Sequence, residues 1–169
     1  SQQNTHTGYY LRKFIDPRLA PAQNADANWK KYRLAEIYLN LAEAENEVNG
    51  ATPDVYDAIN ALRYRAQMPG LPSGLSKEQM RERIHRERRI ELVIEEQRLW
   101  DVRRWKILDK TDKLVTGMEI TKNPNNSFTY KRFVTERRNA WQEKYLIFPI
   151  PLSDASIVPD FNLKQNPGW

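Results

Sequence analysis

The amino-acid sequence predicts a mainly α-helical protein: a tetratricopeptide-like helical hairpin and a long third helix, followed by a small β-hairpin and an irregular C-terminal segment. Three observations support this fold class. Apolar residues recur every three or four positions in two consecutive stretches before residue 67, which is the spacing of one helix face. A third stretch begins near residue 77 with a strong helix-capping signal. After Thr116 come short, partly alternating segments separated by asparagine and proline, as in strands joined by a turn.

The first predicted helix extends from about Asn28 to Asn49. Pro17 and Pro21 keep the preceding segment out of a helix, and Gly50 is a natural stop because glycine readily adopts the left-handed conformation that ends many helices. Its apolar positions at helical spacing are Leu34, Ile37, Tyr38, Leu41 and Ala42, with Ala35 and Leu39 widening the stripe.

The second predicted helix opens at Thr52 as the N-cap, with Pro53 at the first helical position and Asp54 near the positive end of the helix dipole. It ends before Pro69. Its predicted buried stripe is Val55, Ile59, Leu62 and Ala66. Small side chains that would let the two helices approach closely are Ala42, Ala58 and Ala61. These features predict one tetratricopeptide-like hairpin.

The third helix is predicted from a capping box formed by Ser76 and Gln79, with Leu75 and Met80 as a hydrophobic staple around it. We expect it to continue to Trp105. One face reads Ile84, Glu87, Glu91, Ile94, Arg98 and Asp101. Charges on a face that also carries isoleucine indicate a partly buried ion-pair network, so replacing Glu91 with leucine or alanine should cost about 3–5 kcal/mol.

The C-terminal third is predicted to be less regular. Segments 118–120 and 128–134 read as strands of a hairpin, joined through Asn123–Asn126. Segment 145–151 is expected to be extended because prolines disfavour a helix there, and 153–169 to be rich in turns. We find no domain boundary, so residues 1–169 are interpreted as a single C-terminal domain whose polar start, residues 1–7, lies inside a longer protein.

Composition narrows the functional classes. The chain has 169 residues, 29% of them charged, a net charge of +5 and no cysteine. The absence of cysteine excludes disulfides, thiolate metal sites and a cysteine nucleophile. Basic and acidic residues alternate on the same predicted helices, as in the run 86–91, which favours a solvated, ion-paired face over a nucleic-acid-binding stripe.

Catalytic signatures are weak. The only candidate base on a predicted helix, His85, has charged neighbours that favour a surface position. Glutamates near it stand beside arginines and should stay ionised and paired, unlike the two carboxylates of a glycosidase. The glycines form no phosphate-binding loop. We therefore predict no catalytic residues, no cofactor and no metal ligands, while a calcium site of carboxylates stays open.

Aromatic residues are the more informative group, because flat apolar faces suit the C–H faces of sugar rings. Trp141 lies among polar residues in a predicted loop and is the first candidate for ligand binding; Tyr9 and Tyr10 are two more. Tyr38 and Trp100 lie in strong helical patterns, which favours core packing for both.

Four motifs in order resemble those of one family. Segment 32–44 resembles its "RYAEVLLMYAEA" helix, and segment 58–66 is similar to "INxVRxRA". Segment 84–105 resembles "IxxERRxELxxEGxRxxDLxRW", with Gln97 interpreted as replacing the glycine. Segments 148–151 and 165–169 resemble "PIP" and a terminal "QNPGY", with Trp169 in place of the tyrosine. The chain thus resembles the C-terminal portion of a SusD/RagB nutrient-binding protein.

The resemblance implies a lipoprotein on the outer face of the outer membrane of a Bacteroidetes-type bacterium. Such proteins bind oligosaccharides without hydrolysis and deliver them to a TonB-dependent, SusC-like transporter. Contact with the membrane would be only through an N-terminal lipid anchor absent from this chain. The charged motif residues are then interpreted as an architectural ion-pair network: Glu87, Arg88, Glu91, Arg98, Asp101 and Arg104.

Two other classes stay open. A helical protein-interaction scaffold without sugar binding would present a groove to a peptide. A helical nucleic-acid-binding domain would bind with an affinity that falls steeply with salt.

Overall fold

The computed structural model describes residues 5–16, 18, 28–111, 113–138, 141–157 and 165–169. The chain divides into two compact units, residues 18–98 and residues 1–17 together with 99–169. The expectation of a single domain over residues 1–169 stays a prediction. Pro17 and Pro21, which we expected to block a helix, lie outside the described residues.

The helical hairpin is built from α1 (Leu34–Asn49) and α2 (Pro53–Arg65), and α3 (Lys77–Glu91) packs against α1. Residues that form one hydrophobic core here come from all three helices and the turn after α3: Ala35, Leu39, Ala42, Val55, Ala58, Ile59, Leu62, Met80, Ile84 and Leu92. The mainly α-helical fold class with its hairpin is confirmed.

The buried face of α1 agrees only in part with the predicted stripe. Ala35, Leu39 and Ala42 are buried as predicted, together with Asn46. Leu34, Ile37 and Leu41 are instead each at least half exposed. Small side chains on the buried face let α1 lie close to both α2 and α3, so the bulkier apolar residues are left on the opposite side. In α2, Val55, Ile59 and Leu62 are buried as predicted, whereas Ala61 and Ala66 are exposed.

The capping residues predicted from the sequence agree with the observed N-termini of the helices to different degrees. The capping box of α3 is confirmed: Ser76 Oγ accepts from the backbone N–H of Gln79, and Gln79 Oε1 accepts from that of Ser76. Thr52 precedes α2 but does not cap it with its side chain, and its hydroxyl donates to Glu45 Oε1 at 3.3 Å. The first helix begins at Leu34 rather than near Asn28, since Arg33 is extended, with φ −135°.

The third helix ends at Glu91 rather than near Trp105. Ile94 and Glu96 have φ of +64° and +65°, and α4 (Gln97–Arg104) begins only after them. The end of α3 leaves backbone carbonyls without partners inside the helix. Arg33 satisfies one of them, because its Nη2 donates to the carbonyl of Glu91 at 3.2 Å.

The left-handed conformation of Glu96 agrees with a corrected alignment of the family motif to this chain. Counted from Ile84, the glycine of the family pattern falls at Glu96, so our assignment of that glycine to Gln97 was wrong by one position. Glu96 is therefore the residue that holds, with a Cβ, a conformation that favours glycine.

The second unit contains α5 (Leu108–Thr111) and an antiparallel hairpin of β1 (Leu114–Lys122) and β2 (Phe128–Arg137). The predicted hairpin is confirmed, and both strands are longer than expected. The register is irregular between Val115 and Thr116, which leaves an extra residue in β2. The turn is held by Asn125 Oδ1, which accepts from the backbone N–H of Ser127 at 3.1 Å.

The C-terminal segment is more helical than predicted. A 3₁₀ helix covers Glu143–Leu146, so Tyr145 and Leu146 are not extended, and α6 covers Leu152–Ile157. A 3₁₀ turn and a short helix fit on either side of the prolines, because proline is tolerated immediately before or at the start of a helix. None of the described helices combines the length and apolar character needed to cross a bilayer.

Candidate functional site

Stacked side chains connect α4 with the segment after the 3₁₀ helix. The Arg103 guanidinium lies 4.6 Å from the centre of the Phe148 ring, which is cation–π distance. Trp100 meets the same ring edge-on, with 5.9 Å between ring centres. Trp100 is 55% exposed, so our expectation that it packs in the core was wrong. These contacts fix one wall of a cavity.

The last five residues hold segment 143–150 through hydrogen bonds to its backbone groups. Gln165 pairs with Ile150, accepting its N–H at 2.7 Å and donating to its carbonyl at 2.9 Å. Asn166 Nδ2 donates to the carbonyl of Phe148 at 2.7 Å. Trp169 Nε1 donates to the carbonyls of Lys144 and Ile147 at 3.1 and 3.0 Å. The terminal motif therefore holds segment 143–150 in place.

The cavity that residues of these segments line has a volume of about 610 Å³. Its described lining combines three aliphatic residues with four aromatic ones, Trp141, Tyr145, Phe148 and Trp169. Three arginines complete it: Arg103, Arg137 and Arg138. Small-molecule sites are typically apolar clefts of ~300–1,000 Å³ with a few polar groups that fix orientation. We refer to this space as the aromatic–arginine cavity.

The three predicted ligand-binding aromatics do not share one site. Trp141 is 41% exposed and lines the aromatic–arginine cavity. Tyr10 lines a second cavity of about 520 Å³ beside β1, together with Met118 and Phe133. Tyr9 lines neither of these two cavities. Whether any of the three binds a ligand stays a prediction.

The charged residues that we interpreted as a network make the following contacts. Arg63 of α2 bonds Glu87 at 2.9 Å, and Arg88, buried in α3, donates to Asn40 of α1 at 2.6 Å. Glu91 bonds Arg65 at 2.7 Å and Arg33 at 2.9 Å. These contacts connect α3 to both helices of the hairpin.

Other members of that set belong to α4. Asp101 and Arg104 form an ion pair of 2.7 Å within the helix, one turn apart. Arg98 is partly buried in the first turn. Among the residues that the structure describes, no three histidine, aspartate or glutamate side chains are grouped so that they could hold a metal ion.

The comparison with known families decides the identity of the fold. The model of the SusD family matches residues 1–169, the whole chain. The chain belongs to the SusD family. Two SusD-like proteins of Formosa agariphila are 39% and 29% identical to it over 155 residues each. These alignments cover 89% and 87% of the SusD-family chain but only 26% and 27% of the two relatives.

Solved structures agree. A SusD-like protein of Bacteroides fragilis superposes with a TM-score of 0.81 at 37% identity, covering 98% of this chain and 31% of the other. A SusD superfamily protein of Parabacteroides distasonis gives a TM-score of 0.57 at 26% identity, over 86% and 28% of the two chains. The SusD-family chain described here thus spans between a quarter and a third of the length of these relatives.

Sequence reasoning found Trp141 but assigned no role to the arginines beside it. Arg103 was considered only within segment 84–105, which resembles the family motif, and Arg137 was not singled out. The available signal was the pairing of the two terminal motifs of this SusD-family chain, whose backbone hydrogen bonds bring Trp169 and Phe148 to the same cavity.

Proposed function

We propose that this chain is the C-terminal part of a longer SusD-family protein that captures oligosaccharides at the outer-membrane surface without cleaving them. The observation that carries the proposal is the aromatic–arginine cavity, in which Trp141 presents a partly exposed indole beside Tyr145 and Trp169. Indole and phenol rings offer the flat apolar faces on which sugar rings stack, and their polar edges leave donors for hydroxyl groups.

The lining chemistry supports binding rather than hydrolysis. Glycosidic cleavage requires two carboxyl groups facing the scissile bond. The described residues that line the cavity include no aspartate or glutamate.

Delivery to a TonB-dependent, SusC-like transporter, and anchoring by an N-terminal lipid, belong to the same proposal. Co-purification of the full-length protein with an outer-membrane transporter from its native membrane would test the partnership. Recovery of the protein in the soluble fraction, without lipid modification, would contradict the anchoring.

Glycan capture is tested by titrating the full-length protein with oligosaccharides of plant, host and microbial origin in a calorimeter. We expect Trp141→Ala to weaken binding at least tenfold, whereas Trp29→Ala, which removes a more exposed tryptophan outside the cavity lining, should leave it unchanged. No binding across the panel, or equal losses in both variants, would contradict the proposed site.

One observation favours a second candidate, a protein-interaction scaffold. Leu34, Ile37, Leu41 and Val48 recur at helical spacing on the outside of α1, and each is at least half exposed. A helix-binding partner would cover such a stripe. Capture of a partner that does not depend on sugar, and that Ile37→Glu abolishes while Trp141→Ala does not, would favour this function.

A further inference from the structure

The aromatic–arginine cavity carries a strong excess of positive charge. Three of its described lining residues are arginines, and none is acidic. Arg138 is partly neutralised by Glu136, with 3.1 Å between Nε and Oε1. Arg103 and Arg137 form no ion pair with a described residue. Cations in a concave, largely apolar surface raise the local concentration of anions.

The side chain of Arg103 is preorganised to donate hydrogen bonds to a ligand. Its guanidinium is stacked on Phe148, and one nitrogen, Nη1, donates to the carbonyl of Leu99 at 3.1 Å. Its Nε is buried and has no hydrogen-bond partner among the described residues. A buried N–H without an acceptor is unfavourable, so the guanidinium has unused hydrogen-bonding capacity. Stacking on the ring limits the orientations that the side chain can take, so little entropy is lost on binding.

Arg137 offers the complementary group. It is the last residue of β2, is exposed, and lines the cavity beside Trp141. A planar guanidinium bonds carboxylate or sulfate oxygens with two parallel N–H groups, while the neighbouring indole supplies a stacking face. The combination suits one ligand chemistry, a sugar ring with an anionic substituent.

We propose that the aromatic–arginine cavity binds anionic oligosaccharides, whose rings carry carboxylate or sulfate groups, through Arg137 and Arg103. This inference rests on the proposed glycan capture and names its substrate class. Neutral sugars of the same size would leave both guanidinium groups without a counter-charge and would bind more weakly.

The test compares four probes of equal length with the full-length protein by calorimetry at low and high salt. They are an oligogalacturonide, which carries carboxylates, a sulfated oligogalactan, a neutral oligogalactan and a single-stranded oligothymidylate. We expect at least one of the two acidic saccharides to bind about tenfold more tightly than the neutral one. The preference should shrink as sodium chloride rises from 50 to 500 mM, since salt screens exposed charges. The two acidic probes distinguish carboxylate from sulfate as the recognised group.

A matched pair of variants places the effect in the cavity. Arg137→Gln should weaken binding of the preferred acidic saccharide about tenfold and leave the affinity for the neutral one within twofold. Arg132→Gln removes the same charge from the same exposed strand, outside the cavity lining, and should change neither affinity by more than twofold.

The other outcomes separate the two proposals. Equal binding of acidic and neutral saccharides overturns the anionic preference and leaves glycan capture intact. Acidic binding that both variants weaken equally also overturns this inference, because net charge alone would then explain the preference. Absence of binding to these acidic saccharides and to every saccharide of the plant, host and microbial panel overturns both proposals, whereas absence of binding to the acidic ones alone overturns only this inference. Tighter binding of the oligothymidylate than of any saccharide would replace both with nucleic-acid recognition through stacking and phosphate contacts.

Discussion

The guanidinium of Arg33 lies 2.6 Å from the carboxylate of Glu95, although the two residues are 62 positions apart in the chain. The hydrogen bonds that Arg33 donates to this carboxylate and to that of Glu91 raise the pKa of Arg33 above its ordinary value despite its partial burial. Arg33 directly precedes α1, and Glu95 lies in the non-helical turn after α3. One side chain therefore fixes the start of one helix and the end of another.

Loss of this side chain should destabilise the fold strongly. Arg33→Met keeps the aliphatic bulk but removes the ion pair to Glu95, whose side chain is only 6% exposed. We expect a loss of about 3 kcal/mol in the free energy of unfolding, measured by urea denaturation, since an ion pair to a largely buried carboxylate is lost.

The control is the exposed pair Arg81–Glu47, which has similar geometry at 2.6 Å. Arg81→Met should cost less than about 1 kcal/mol because water solvates both partners. Equal losses of unfolding free energy in the two variants would show that Arg33 stabilises the fold no more than an exposed ion pair does.

The boundary between α3 and α4 shows why the sequence predicted some elements and not others. The start of α3 depends on Ser76 and Gln79, three residues apart, and was predicted correctly. Its end depends on Arg33, 58 residues away from Glu91, and no local signal reveals such a contact. The helical spacing of Ile94 with its neighbours suggested a continuous helix, but tertiary hydrogen bonds outweighed it.

The candidate cavity follows the same rule. Trp141 was identifiable because an aromatic residue in a polar loop is unusual on local grounds. Arg103, Phe148 and Trp169 come from separate parts of the chain, and their contacts depend on the tertiary fold. Their grouping around one cavity depends on the hydrogen bonds between the terminal residues and segment 143–150.

The pair Glu47–Arg81 also makes stability depend weakly on pH. Hydrogen bonds from Arg81 hold the pKa of the Glu47 carboxyl below its ordinary value. Since the folded pKa is lower than the unfolded one, the stabilisation is present above the unfolded pKa of about 4.3 and disappears as the pH falls through the lowered folded pKa.

Denaturation of the protein and of Glu47→Gln should therefore differ at pH 7, by less than about 1 kcal/mol, and converge near pH 3. At pH 7 the difference should also shrink in 0.5 M sodium chloride. A difference that grows on acidification would contradict this assignment.

Glu96 offers a stabilising substitution. It holds φ +65° with a Cβ, a conformation that costs a non-glycine residue about 1 kcal/mol. Glu96→Gly should raise the free energy of unfolding by up to about 1 kcal/mol, offset in part by the greater flexibility of glycine in the unfolded chain.

Gln97→Gly is the matched control, because Gln97 is the first residue of α4. Glycine there should lower stability, by about 0.5 kcal/mol. If both substitutions destabilise the protein, the left-handed residue is not under strain.

Close backbone approach at Gly8 leads to the last prediction. Met118, in β1, donates its N–H to the carbonyl of Thr7 at 2.8 Å, and this brings segment 5–8 against the strand. Gly8 has φ +73°, and a Cβ at this position would overlap the carbonyl oxygen of Met118. Gly8→Ala should therefore cost about 2–3 kcal/mol in the free energy of unfolding, from backbone strain and from displacement of the segment.

Gly74→Ala separates these two contributions. Gly74 has a similar φ of +76° with no atom within 4 Å of the added Cβ, so the substitution should cost only about 1 kcal/mol. Hydrogen exchange at the Met118 amide reports the displacement directly, and we expect faster exchange in Gly8→Ala but not in Gly74→Ala. Unchanged protection of Met118 in Gly8→Ala would mean that the strand accommodates a methyl group, and the contact between segment 5–8 and β1 would then be looser than the geometry indicates.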